Sequence, residues 1–125
     1  MQALLAVALG GAVGSAARYL SIVWCGRLCG TAFPWGVFAV NVVGSCIMGI
    51  IVGVLARLGP VSDATRLLLT TGFLGGFTTF SSFSLDAVLL AERGDWTGFA
   101  FYVVASVALS VLALIVGMRA VAWVL

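Results

Sequence analysis

Residues 70–84 read TTGFLGGFTTFSSFS, and this stretch decides the fold of the chain. Its adjacent glycines, Gly75 and Gly76, are followed by five hydroxyl side chains within seven residues. Paired glycines weaken a helix, and nearby Thr and Ser side chains can bond the backbone groups that a break releases. Inside a membrane, a broken helix must line a cavity or be buried in protein. The stretch therefore predicts a broken membrane helix, with a flexible helix packed through glycine as the alternative.

The composition of the whole chain is that of an integral membrane protein. Of its 125 residues, 63% are hydrophobic and only 8% are charged. Because a soluble domain carries about 25% charged residues, this chain cannot cover itself with a water-facing surface. Each membrane helix needs about 20 mostly apolar residues, which gives four spans at about 3–24, 33–56, 67–90 and 96–125. We expect one all-α transmembrane domain over residues 1–125, with the third helix broken.

The same composition excludes several classes of function. The chain has no histidine, only four acidic residues and three cysteines at unsuitable spacing, so no zinc site is credible. A net charge of +2 without a run of like charges excludes a nucleic-acid surface. We therefore expect neither an enzyme nor a nucleic-acid partner.

Arginine residues are balanced between the two sides of the predicted membrane helices. One side carries Arg57, Arg66 and Arg119, and the other carries Arg18, Arg27 and Arg93. Because orientation follows the Lys/Arg bias of short loops, the chain has no evident preferred orientation. Either the charges balance by chance, or the chain inserts both ways, which would allow an antiparallel dual-topology homodimer. The stripes Gly10-x3-Gly14 and Ser45-x3-Gly49-x3-Gly53 predict close helix packing and weakly favour a tight dimer.

Aromatic and hydroxyl side chains alternate directly after the predicted break. Phe77, Phe80 and Phe83 recur at three-residue spacing, with Thr79 and Ser82 among the hydroxyls between them. The edge of a phenyl ring carries partial positive charge, so rings turned edge-on to a pathway would favour a small anion. Lipid-facing or core packing is the alternative for this aromatic set.

Polar residues also form stripes on the second and fourth spans. Asn41 and Ser45 share one helical face, and a second face carries Tyr102, Ser106 and Ser110. These hydroxyls either join helices or line a pathway. A carboxamide deep in a span needs a partner and supplies two N–H donors.

Charges inside the spans are scarce. Spans one, two and four have no acid near their centres, so they offer no carboxylate for exchanging protons against a cation. Arg18 either extends to the membrane interface or lines an anion vestibule, which Asp86 would share. Such a pathway suits a small anion or a neutral solute.

Three motifs together resemble a known family. They read Gly10-Gly11-x2-Gly14-x3-Arg18-Tyr19, Gly36-x4-Asn41-x2-Gly44 and Gly72-Phe73-x-Gly75-Gly76-x-Thr78-Thr79-Phe80-Ser81-x-Phe83-Ser84. The third is highly specific, and the resemblance to the Fluc fluoride channel family, also called CrcB, covers all four spans. It implies a passive fluoride-selective channel of the bacterial cytoplasmic membrane, built as an antiparallel homodimer with two pathways and a central structural sodium ion.

The resemblance also assigns residues. It implies facing phenylalanines Phe80 and Phe83, a pore asparagine Asn41, and a polar track of Tyr102, Ser106 and Ser110. Thr79 and Ser82 would add hydroxyl donors. The implied sodium ligands are the main-chain carbonyls of Gly75 and Thr78 from both subunits. Two positions depart from the family, which commonly has Thr where this chain has Val37 and Ser82.

Two other functions remain as alternatives. A small dual-topology exporter of cationic drugs, driven by protons, has four spans and a similar length, but it works through a glutamate in the first span. Residues 3–18 contain no acid. A structural or assembly membrane protein would explain the glycine stripes and leave the polar stripes unexplained.

Overall fold

The computed structural model describes all 125 residues and is entirely helical. Four stretches are long and apolar enough to cross a membrane: Gln2–Cys29, Trp35–Leu58, Asp63–Glu92 and Trp96–Val124. In chain order the elements are α1 Gln2–Cys29, α2 Trp35–Leu58, α3 Asp63–Leu67, a π-helical segment Leu68–Leu74, α4 Gly75–Phe77, α5 Phe80–Glu92 and α6 Trp96–Val124. The four predicted spans and the broken third helix are confirmed.

The break lies two to three residues later than the paired glycines indicate. Gly75 and Gly76 stay helical, and the chain becomes extended at Thr78 (φ −82°, ψ 157°) and Thr79 (φ −152°, ψ 122°). The second glycine is required by packing, because a Cβ at Gly76 would approach the carbonyl oxygen of Gly11 to 2.6 Å. Gly76 therefore marks a close contact with α1, and the break itself follows it.

The glycine stripes are used inside the chain. A Cβ at Gly14 would overlap the carbonyl oxygen of Phe73 in the π-helical segment, and one at Gly49 would overlap the carbonyl oxygen of Leu114 in α6. Two pairs of helices thus meet backbone to backbone, α1 with the first half of the third span and α2 with α6. These stripes explain packing within one chain and no longer favour a dimer, which stays a prediction.

Most of the apolar surface faces outward. Only 19 of 125 residues are buried, while large apolar side chains such as Leu9, Val104 and Leu112 are exposed. Since water would not tolerate so continuous an apolar exterior, this surface faces lipid or another protein. The small core contains Val37, Phe83, Ala87, Leu90 and Tyr102 and joins α2, α5 and α6.

Candidate functional site

The break in the third span is held open by one side chain of α2. Asn41 donates through Nδ2 to the Thr79 carbonyl oxygen at 3.0 Å and accepts from the Thr79 amide through Oδ1 at 2.8 Å. In an unbroken helix the Thr79 amide would donate to the carbonyl of Gly75, four residues earlier. Asn41 therefore satisfies the backbone of Thr79 and leaves the Gly75 carbonyl without its helical donor. The prediction that this carboxamide needs a partner is confirmed.

The helix after the break begins with a side-chain cap. The Thr79 hydroxyl oxygen accepts from the Ser82 amide at 3.2 Å, and the same hydroxyl donates to the Ser82 hydroxyl oxygen at 3.2 Å. Capping of this kind satisfies an amide that the first helical turn leaves free. Asn41 and Thr79 together fix where the first half of the span ends and where α5 starts.

Arg18, on α1, also contacts the break. Its Nη1 donates to the carbonyl oxygen of Thr78 at 3.4 Å, and the contact is partly buried. The guanidinium thus lies at the middle of the third span, so Arg18 does not extend to the membrane interface. Its place in an anion vestibule stays a prediction.

A cavity of about 250 Å3 lies beside the break and brings most of the predicted pathway residues together. Its lining consists of Asn41, Ser45, Thr78, Thr79, Phe80, Phe83, Ser106, Val107, Ser110 and Val111. Phe80 is 75% exposed, so the cavity reaches the outer surface of the chain at this ring. No acidic side chain lines it. The two valines were not predicted, although each directly follows a predicted serine on α6.

Ser106 is the polar side chain of the cavity that is both buried and without a hydrogen-bond partner. The residue is 5% exposed, and its Oγ is buried without a hydrogen-bond partner. An unpaired buried hydroxyl costs about 1–3 kcal/mol, and such exceptions in a folded protein need an explanation. A ligand that accepts a hydrogen bond inside the cavity would supply one.

The aromatic set is divided by the break. The Phe80 and Phe83 rings lie 5.4 Å apart between centroids, tilted by 41°. Phe77 precedes the break and stacks on Phe73, with 6.1 Å between centroids and 6° between planes. Two extended residues interrupt the helical spacing on which the set of three was based, so only Phe80 and Phe83 line the cavity.

Tyr102 and Ser82 lie outside the cavity lining. Tyr102 is fully buried, its hydroxyl donates to Asp86 Oδ2 at 3.2 Å, and its ring lies 5.1 Å from that of Phe83. Asp86 lines a second cavity of about 230 Å3 with Arg93, whose Nη2 donates to the Ala32 carbonyl oxygen at 2.8 Å. Arg18 lines neither of these two cavities, so a vestibule shared by Asp86 and Arg18 stays a prediction.

These features define a class of protein, the multi-pass membrane proteins in which a broken helix lines a polar cavity within the bilayer. Ion channels and transporters use this arrangement because the break frees backbone dipoles at membrane depth. The chain belongs to the CrcB family: residues 5–118 match the family described as CrcB-like protein, Camphor Resistance (CrcB).

Related proteins are similar in sequence to this chain over almost its full length. A protein of Chelativorans sp. (strain BNC1) named Fluoride-specific ion channel FluC is 56% identical over 118 residues, covering 94% of each chain. A protein of the same name from Rhizobium johnstonii is 54% identical over 125 residues, covering 98% of this chain and 99% of the relative. Fluoride-specific ion channel FluC 1 of Nitrobacter hamburgensis is 48% identical over 118 residues, covering 94% of each chain.

Proposed function

We propose that this chain is a passive fluoride-selective channel of the bacterial cytoplasmic membrane that lets accumulated fluoride leave the cell. The observation that carries the proposal is the acid-free cavity at the break, with the unpartnered Ser106 hydroxyl buried in its lining. Membership of the CrcB family and the names of the relatives support fluoride as the ion. A channel moves its ion without chemical change, so the protein is a transporter and not an enzyme.

The lining offers what a small anion requires. Fluoride loses a large hydration energy on leaving water, so its pathway has to supply closely spaced donors. Asn41 has one amide hydrogen beyond the one given to Thr79. Ser45, Ser106 and Ser110 add three hydroxyls to the same cavity. The rings of Phe80 and Phe83 contribute weakly positive edges beside these donors.

Tyr102 and Ser82 belong to the pathway in a different way. The ring of Tyr102 packs against Phe83, which lines the first cavity. The hydroxyl of Tyr102 donates to Asp86, which lines the second cavity. We propose that fluoride passes Tyr102 on its way from one cavity to the other. Ser82 supports the pathway through its hydrogen bonds with Thr79.

An antiparallel homodimer is part of the proposal. In the single chain the polar cavity reaches the outer surface at Phe80, which is 75% exposed. A polar surface in lipid is costly unless protein or water covers it. A second copy would cover it, and the balance of three arginines on each side allows both orientations in the membrane. Each dimer would then contain two equivalent pathways.

A structural sodium ion is also proposed, held by the carbonyls of Gly75 and Thr78 from both copies. The residues fit such an ion, because the Gly75 carbonyl has lost its helical donor to Asn41 and the glycine is exposed on the chain surface. Neutral carbonyl oxygens suit a monovalent cation, whereas Mg²⁺ and Ca²⁺ usually require carboxylates. When bound, the ion would supply a fixed positive charge near the breaks.

The drug-exporter alternative is not supported. Its mechanism needs a membrane-embedded carboxylate in the first span, and α1 contains no acid. The family match and the relatives' names point to fluoride. The structural-protein alternative does not explain the unpartnered hydroxyl of Ser106.

Flux from proteoliposomes tests the function directly. Vesicles loaded with fluoride, chloride or a cationic dye are diluted into buffer, and release of each solute is followed over time. We expect rapid loss of fluoride alone, and much slower loss in Phe80→Ile and Phe83→Ile, which keep bulk and remove the ring edges. Loss of the dye would support the exporter, and retention of all three solutes would support a structural protein.

A topology test addresses the dimer separately. Two lysines added to the loop between α1 and α2 should fix one orientation and abolish flux when this variant is expressed alone. A partner carrying the lysines between α2 and α3 should restore flux. Full activity of the single biased variant would contradict the antiparallel dimer while leaving the fluoride function intact.

A further inference from the structure

Arg18 is the one charged side chain that contacts the break. It is half-buried within the first span, and no carboxylate lies within ion-pair distance, since the single ion pair of the chain joins Arg66 to Asp63. Its position is fixed by α1, because Gly14 and Ser15 contact the backbone of α4 closely. A charge placed so deeply in a span without a countercharge points to a function.

The partner of Arg18 lies at the negative end of a helical run. Residues 63–77 are continuously helical, and the carbonyl of Thr78 directly follows them. The last carbonyls of a helix carry partial negative charge and attract cations. Arg18 donates to the Thr78 carbonyl at 3.4 Å, a long hydrogen bond that a stronger ligand of the same oxygen would displace.

We propose that Arg18 and a sodium ion compete for the Thr78 carbonyl, so that Arg18 supports the break when sodium is absent and is released from it when sodium binds. This inference rests on the proposed sodium site. Two positive charges at one helix end repel each other, and therefore Arg18 weakens sodium binding. Released from Thr78, the guanidinium would be free to attract anions near the cavity, which couples the cation to the anion pathway.

The competition predicts two effects of Arg18→Gln in opposite directions. The thermal stability of the purified full-length protein is measured across sodium concentrations, with N-methylglucamine keeping ionic strength constant. Without sodium the variant should melt at a lower temperature than the parent, because the break has lost its cation. The sodium concentration for half-maximal stabilisation should fall at least about fivefold, the lower range of typical coupling between sites.

Arg27→Gln is the matched control, since Arg27 is an exposed residue in the last turn of the same helix. It removes the same charge and should leave the sodium midpoint unchanged. Arg18→Lys is a second variant, in case Arg18→Gln fails to fold. It keeps the positive charge on a shorter side chain, so its sodium concentration for half-maximal stabilisation should be lower than that of the parent, but less so than in the glutamine variant.

The outcomes separate the two proposals. An Arg18→Gln or Arg18→Lys midpoint equal to or above that of the parent overturns the competition and leaves the sodium site standing. A parent protein whose stability does not depend on sodium overturns the sodium site and the competition with it. Neither result bears on fluoride selectivity, which the flux assay measures independently.

Discussion

The two halves of the third span are held in the protein by different kinds of contact. Before the break, the π-helical segment and α4 meet α1 backbone to backbone, so that a Cβ at Gly72 would come within 3.0 Å of the Gly10 Cα. After the break, α5 packs through side chains, with Phe83 and Leu90 in the core beside Tyr102. The first half is anchored on α1 and the second on α2 and α6.

This difference explains why the span breaks where it does. Each half packs against different helices, and the two extended residues connect the two halves. Asn41 supplies the hydrogen bonds that a continuous helix would have given to Thr79. The polar cavity then forms on the α2 and α6 side, next to the second half.

The largest effect should come from the backbone contact of the first half. Gly14→Ala places a methyl group against the carbonyl oxygen of Phe73 and within 3.0 Å of the Phe77 amide, with only backbone to yield. Overpacking of this kind costs about 3 kcal/mol, which should appear as a large drop in melting temperature and folded yield. Gly11→Ala is the control, because its Cβ meets only the Gly72 carbonyl oxygen, at 3.9 Å. Equal stability of the two variants would contradict the close anchoring of the first half.

The next effect should come from the link between the halves. Asn41→Leu keeps the size of the side chain and leaves the amide and carbonyl of Thr79 unpaired, at a cost of about 2 kcal/mol. Fluoride flux should be lost as well, because Asn41 both holds the break through Thr79 and lines the cavity. Ser45→Ala lies on the same cavity without bonding the break, so its unfolding midpoint should match that of the parent. A stable Asn41→Leu protein would show that the break needs no side-chain support.

Ser106→Ala should lower fluoride flux without lowering the stability of the protein. Its hydroxyl has no partner, so removing it should leave stability unchanged or raise it by about 1 kcal/mol. A hydrogen bond to a charged ion contributes about 1.5–3 kcal/mol, so fluoride flux should fall about tenfold. Ser84→Ala is the control, since that hydroxyl donates to the Phe80 carbonyl at 2.9 Å and lies outside the cavity lining. Normal flux in Ser106→Ala would place the pathway elsewhere.

The smallest effect should come from adding one hydroxyl group to the core beside the second half. Val37 is buried with Tyr102 and lines the second cavity beside Asp86. In Val37→Thr, the added hydroxyl can donate to a main-chain carbonyl of the preceding helical turn, so the free energy of unfolding should change by less than about 1 kcal/mol and flux should hardly change. A strong rise in flux would show that a hydroxyl at this position belongs to the pathway.

The sequence alone predicted the class of the protein, its four spans, the broken third helix and most of the residues around the cavity. These follow from composition and spacing, because a bilayer demands long apolar helices and makes polar residues inside them costly. Asn41 was predicted to need a partner for the same reason. The fluoride channel family was identified from the motif at the break, and its match over residues 5–118 is independent of any geometry.

Only the tertiary structure decided which partner each of these residues takes. Spacing places side chains on one face of a helix, but a break rotates everything after it, so Phe77 separated from Phe80 and Phe83. Of the two glycines that indicated the break, Gly76 proved to be a contact with α1, and the break was placed at Thr78 and Thr79 by Asn41, 38 residues away. Such long-range hydrogen bonds and backbone contacts depend on how the helices meet, which no local pattern specifies.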